Sequence, residues 1–306
     1  LALDFSVALS SVSPCLVMGQ GVSDMVAPVG TFSSLGASGR LVHLAAGRYG
    51  MVGTTLTQNV SVQGTGQDET FLEGTVFGLR TSATLSEVTV TSGASGGIRV
   101  YGGQDPEVRD CRIARNSTSV SGSGGAGGGI YCQDSSPLFI RCEVVENTAG
   151  DSGGGISCWS ASPSFVDCII SRNVSMFSYG GGGGVDCWGW SSSPRFEGCV
   201  IRDNSAQAGG AVHCHSSARA LLDKCTVFRN AALSGTVFLG GDRNSPVTLQ
   251  ECIVWSNFGP TFGGNVDTFY SCIEGLGALG VQPELGNIEA DPLFCGWGSR
   301  SDAHVD

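Results

Sequence analysis

The residues of this chain best suited to chemistry are one carboxylate and one imidazole: Asp186 and His213. A carboxylate beside an imidazole can act as an acid/base pair, the first holding the ring and the ring moving the proton. Asp186 and His213 are therefore the catalytic candidates. Aromatic residues recur near them, and three of the five tryptophans are Trp159, Trp188 and Trp190. Rings cover the apolar faces of sugars while neighbouring polar groups take hydroxyls. Tyr101, Tyr131, Trp159, Trp188, His213 and His215 are accordingly the candidate ligand-binding residues. The competing reading is that strands simply favour aromatic residues.

Cysteine offers a second chemistry, with 13 in the chain. Four pairs lie close in sequence: Cys132 with Cys142, Cys158 with Cys168, Cys187 with Cys199, and Cys214 with Cys225. No Cys-x-x-Cys occurs, which argues against zinc. Neither metal nor cofactor is expected, and these eight residues are disulfide candidates instead.

What must position these groups is a repeat. Cys-x-[Ile/Val]-x-x-Asn occurs at Cys111/Asn116, Cys142/Asn147, Cys168/Asn173, Cys199/Asn204, Cys225/Asn230 and Cys252/Asn257, with cysteine spacings of 31, 26, 31, 26 and 27. Gly-Gly-[Ile/Val]-x-Cys interleaves with it at Ile130, Ile156 and Val185, and Pro-x-Phe-x-x-Cys at Phe139, Phe165 and Phe196. Self-similarity at this period marks a repeat architecture. Each phrase alternates with period two, the strand signal. Strands this far apart cannot be hairpin partners, so equivalent strands pair in parallel between successive coils. The predicted fold is all-β: a single-stranded, right-handed parallel β-helix solenoid of about eight or nine coils, each of three short strands, its hand set by the usual chirality of parallel crossovers. The Asn column falls at a corner, where Asn tolerates left-handed backbone and its side chains can bond from coil to coil. Leu85-x-x-Val88-x-Val90 fits the Cys phrase with Val in place of Cys. That position needs an inward apolar group, not sulfur.

Residues 1–40 are expected to cap the rod, 41–275 to form the β-helix, and 276–306 to close it. Net charge is −11, with Lys224 the sole lysine. Such a chain suits neither nucleic acid nor an anionic membrane, and no apolar run is long enough to span a bilayer. The chain starts at Leu1, and its first residues carry Asp4 without a basic start, so an address signal is expected upstream if there is one.

The glycine and cysteine–asparagine phrases resemble the right-handed β-helix, pectin-lyase-like superfamily over roughly residues 41–295. Within it they resemble repeat-rich microbial surface proteins of the polymorphic outer-membrane-protein type. The resemblance implies the fold; for activity it spans lyases, hydrolases, epimerases and non-catalytic adhesins. The paired aspartates and Gly-His-Gly of polygalacturonase-like enzymes are absent, as is a pectate-lyase-like calcium set. The expected function is therefore a secreted or surface-displayed, non-catalytic protein of adhesion or extracellular assembly, with a glycan or protein partner. The alternative is a polysaccharide-active lyase or hydrolase.

Alternation places the residues flanking each Gly-Gly-[Ile/Val] cysteine outward, ending at Phe238. It also places Ile169, Val200, Phe228, Ile253 and Trp255 outward on consecutive coils. A contiguous apolar strip of this kind marks an assembly face, covered by the C-terminal segment or by another chain. Asn59, Asn116 and Asn173 head glycosylation sequons, but the last two belong to the corner column.

Overall fold

The computed structural model describes residues 41–51, 55–56, 60–119, 125–176, 181–241, 244–278 and 285–292. The expected N-terminal cap, Cys15, Cys295, Asn59 and most of the closing segment lie outside the described residues.

The described chain is built of strands from Leu41 to Ile273, paired in parallel between coils. Two sheets carry ten strands each and a third carries eight, slightly more coils than the eight or nine counted from the cysteine phrases. The first coils were hard to count because they carry no cysteine. One wall holds the Phe-x strands, such as Leu138–Ile140 and Ser164–Val166. A second holds the x-[Ile/Val]-x strands, such as Glu143–Val145 and Ile169–Ser171. The third, here the glycine wall, holds Ile130–Gln133, Ile156–Trp159, Val185–Trp188 and Val212–Cys214. A small fourth sheet of two-residue strands follows the asparagines.

Identical residues stack along the interior. Phe139, Phe165 and Phe196 lie ring on ring at 4.7 and 5.0 Å, all fully buried. Six asparagines form one continuous corner ladder. Each Nδ2 donates to the Oδ1 of the next, from Asn116 to Asn257, at 2.9–3.1 Å. Each Oδ1 also accepts the backbone N–H of the preceding asparagine. Asn116 and Asn173 are thus buried, and their sequons cannot be modified in the folded chain.

The left-handed residue at this corner is not the asparagine but the one before it. Arg115, Glu146, Arg172, Asp203, Arg229 and Ser256 have φ of 49–57°. Asparagine must keep its side chain inside, so the turn falls on its neighbour, whose side chain points out. Five of those neighbours alternate in charge along the rod. Arg115 and Arg172 both bond Glu146 at 3.0 Å, and Arg229 bonds Asp203 at 2.8 Å. In parallel register, like charges would face each other one coil apart, and alternation avoids this.

The expected disulfides are not formed. All eleven described cysteines are free, ten of them buried. Parallel register stacks Cys132, Cys158, Cys187 and Cys214 on the glycine wall. The other six sit at a corner, where thiols donate to carbonyls of the preceding coil, as Cys142 does to Val108 and Cys199 to Phe165, both 3.4 Å. Members of each same-coil pair therefore belong to different walls, and the sulfur neighbours lie in adjacent coils. Burial pushes the Cys111 thiol up to about 12.

The apolar strip is not an open face. Phe228 is only 1% exposed, and Ile169, Val200, Ile253 and Trp255 are half-buried. The described part of the closing segment stacks on the last coil: Ile288 pairs with Cys272 in parallel, and Ser271 N–H donates to Asn287 Oδ1 at 3.1 Å. Phe238 is also inward and fully buried, because Leu239 takes the position in register with His213.

Candidate functional site

On the glycine wall two columns of side chains point away from the core. The first runs Arg99, Tyr131, Ser157, Asp186, His213. The second runs Tyr101, Gln133, Trp159, Trp188, and His215 follows just past the strand Val212–Cys214. The first column is nonetheless largely buried: Tyr131 is 3% exposed, and Ser157 and Asp186 are 0%. The glycine-rich turn before each strand folds back over it. A Cβ on Gly153 would come within 2.7 Å of the Ser157 Cβ, and one on Gly209 within 2.5 Å of the His213 Cβ. Both glycines have φ near +70°, so they supply the turn and the close approach together. Period-two alternation predicts which way these side chains point; it cannot see this lid.

The second column is closed in a different way. The rings of Trp159 and Trp188 lie parallel at 4.7 Å, and Trp188 stacks on His215 at 6.0 Å. Tyr101 and Tyr131 make a tilted pair at 5.6 Å, with the Arg99 guanidinium over the Tyr131 ring. Trp188 thus has a ring against each face. It cannot also lay a face on a sugar, which is the role expected for it. Trp159 has one face taken in the same way.

Asp186, His213 and His215 come together. His213 Nδ1 lies 2.9 Å from Asp186 Oδ1, and His215 Nε2 lies 3.6 Å from Asp186 Oδ2. The two imidazoles stack at 4.8 Å. Gly182 N–H donates to Asp186 Oδ1 at 3.2 Å, but Oδ2 has no hydrogen-bond partner. Burial opposes ionisation of Asp186, yet the hydrogen bonds and charges of the two histidines outweigh it and hold the carboxyl well below the usual range. Burial likewise lowers His215, but Asp186 prevails and raises it. As acid/base chemistry the arrangement places buried Asp186 to hold the His213 ring, whose side chain is only 14% exposed. As a set of donors it is more promising, since one oxygen and two nitrogens lie within 4.8 Å of one another. Cysteine spacing gives no sign of this donor set; its signature in the sequence is His213-x-His215, with Asp186 one coil earlier.

Beside the ridge is a groove of about 570 Å³ lined by Gly103, Asp105, Asp134, Ser136, Ser160, Ser162 and Trp190 among others. Trp190 is 82% exposed, the most exposed of the large apolar residues described. It was noted in sequence only as one of three clustered tryptophans. Its position after Gly189 (φ 92°) takes it off the wall and out of the stack.

Compared with known proteins, the chain matches one family described as "right handed beta helix region", over residues 52–272. No curated protein matches it, and no solved structure does.

Proposed function

The chain belongs to the right-handed β-helix family, and from that premise we propose that it is an extracellular or surface-displayed binding rod, non-catalytic, that takes glycan at the Trp190 groove in adhesion or extracellular assembly. The observation that carries the reading is Trp190 itself: a freely presented indole beside a groove whose other lining side chains are carboxylates and hydroxyls. A sugar needs one ring for its apolar face and several small polar groups for its hydroxyls, and the groove offers both. Asp105 and Asp134 favour neutral or cationic sugars over uronates, and the net charge of −11 acts in the same direction. Among the described residues no helix is long and apolar enough to cross a membrane.

The test is a panel of immobilised neutral, acidic and amino-sugar glycans, probed with wild type, Trp190→Ala and the double variant Trp159→Ala/Trp188→Ala. Loss of retention with Trp190→Ala at unchanged thermal stability supports the groove. Retention unaffected by Trp190→Ala removes it. Release of unsaturated or reducing-end products would move the protein to the polysaccharide-active class.

A further inference from the structure

We infer that Asp186, His213 and His215 form a binding site for a divalent transition-metal ion of the zinc type, which neither the family nor the proposed glycan reading assigns. Four observations carry it. First, the donor set is one carboxylate and two imidazole nitrogens, all within 4.8 Å of one another. Imidazole nitrogen selects zinc-like ions over calcium or magnesium, which prefer all-oxygen shells. Second, both imidazoles converge on the one carboxylate: His213 Nδ1 lies 2.9 Å from Asp186 Oδ1 and His215 Nε2 lies 3.6 Å from Asp186 Oδ2.

Third, Asp186 is fully buried, yet its Oδ2 has no hydrogen-bond partner. A buried carboxylate oxygen without a partner is costly; a cation would satisfy it. Its other oxygen is held by Gly182 N–H at 3.2 Å, so the carboxylate is fixed in place from behind, as metal-ligating carboxylates commonly are. Fourth, the site is open on one side. The His215 side chain is 35% exposed and that of His213 14%. The ion would therefore have three protein ligands and a free position toward solvent. That is the pattern of a zinc site that exchanges its fourth ligand, not of a closed structural one.

The break in the repeat points the same way. In register with Asp186 and His213 the neighbouring coils carry Ser157 and Leu239, so nothing in the β-helix pattern calls for a carboxylate or an imidazole there. The inference is independent of the glycan reading, because the Trp190 groove contains none of these three residues.

The experiment uses the untagged chain, stripped with chelator, and titrates it with Zn²⁺ by calorimetry and with Co²⁺ by visible absorption. The expected result is one ion per chain and a tetrahedral Co²⁺ spectrum without thiolate charge transfer. His215→Ala, at a partly exposed position, and Asp186→Asn, which preserves shape, should each weaken Zn²⁺ by about 100-fold or more, given that even outer-shell partners are worth 10–100-fold. Far-UV circular dichroism checks that each variant is folded. If a variant unfolds, the wild-type Co²⁺ spectrum decides alone, because it distinguishes imidazole–carboxylate from sulfur ligation. No binding by stripped wild type, a thiolate spectrum, or undiminished binding by folded His215→Ala would each overturn the site.

Discussion

The asparagine corner and the Asp186–His213–His215 cluster are both polar and both largely out of water, yet they are opposites. The asparagines repeat from coil to coil, and each of the four inner side chains of the ladder both donates and accepts within it. The cluster occurs once, replaces no repeated residue type, and leaves a buried oxygen without a partner. Repetition with full satisfaction is what holding the rod together requires, and the cluster departs from it on both counts. In a solenoid the two can be told apart column by column, since each position has its own control one coil away.

The comparison can be pressed hardest at the interior. The buried thiols stack against one another, and Cys225 is raised to about 12 by Cys199 and by burial, as Cys111 is by burial. The ordinary value of a thiol here is 9.0, so the folded state holds protons that the unfolded state releases above pH 9. Stability should therefore fall as pH rises from 9 toward 12, by ~1.4 kcal/mol per pH unit for each such thiol. Cys111 alone accounts for on the order of 4 kcal/mol over that window. Denaturant melts between pH 8 and 11 would show it, and Cys111→Val, which copies Val88, should flatten the slope. A pH-independent midpoint over that range would show that the thiols are not protonated in the core. Below pH 9 a thiol reagent should reach Cys272, which is half-buried, but none of the ten buried cysteines among the described residues of the folded protein.

Next in size is the ladder. Asn173→Ala removes bonds to Asn147, Val144 and Asn204 at once and leaves their buried groups unpaired. A loss of about 4 kcal/mol is expected from chemical denaturation. Asn257→Ala, at the half-buried end, should cost roughly half of that or less. Equal losses at both positions would show that the ladder is not a cooperative chain. In the cluster, by contrast, His215→Ala should change the stability of the metal-free protein by about 1 kcal/mol, because the His215 side chain is 35% exposed although it stacks on both Trp188 and His213. A large loss there would make the cluster structural. Smallest is the charge alternation at the left-handed corner. Arg115→Glu sets two carboxylates side by side, yet both positions are exposed enough that about 0.5 kcal/mol is expected, shrinking with added salt.

Much of this was legible before the coordinates. The recurring Cys, Ile/Val, Phe and Asn specify period, strand direction and interior, because a parallel stack brings like positions together and any inward column must be one that can pack on itself. Val88 among the cysteines already marked that position as apolar rather than disulfide-forming, yet the same-coil pairs were still expected to bond. What sequence cannot show is which coil a thiol faces, since spacing along the chain carries no information about which wall it lies on. The burial of Tyr131, Ser157 and Asp186 was missed for a similar reason: the lid over them is glycine backbone and has no side-chain signature. Trp159 and Trp188 were expected to bind a ligand, but adjacency on parallel strands stacks them on each other and uses up faces a ligand would need. The alternating Arg115, Glu146, Arg172, Asp203, Arg229 was in plain view and needed only the column to be read downward.

The asparagine ladder has one more consequence. From Asn116 to Asn230 each side-chain amide donates to the asparagine on its C-terminal side, so the amide dipoles add along the rod instead of cancelling. The molecule therefore has a chemical direction. The row begins at Asn116, whose Oδ1 accepts Gly93 N–H, and ends at Asn257 with further coils beyond each end, so the direction belongs to the interior of the rod and not to its two end faces.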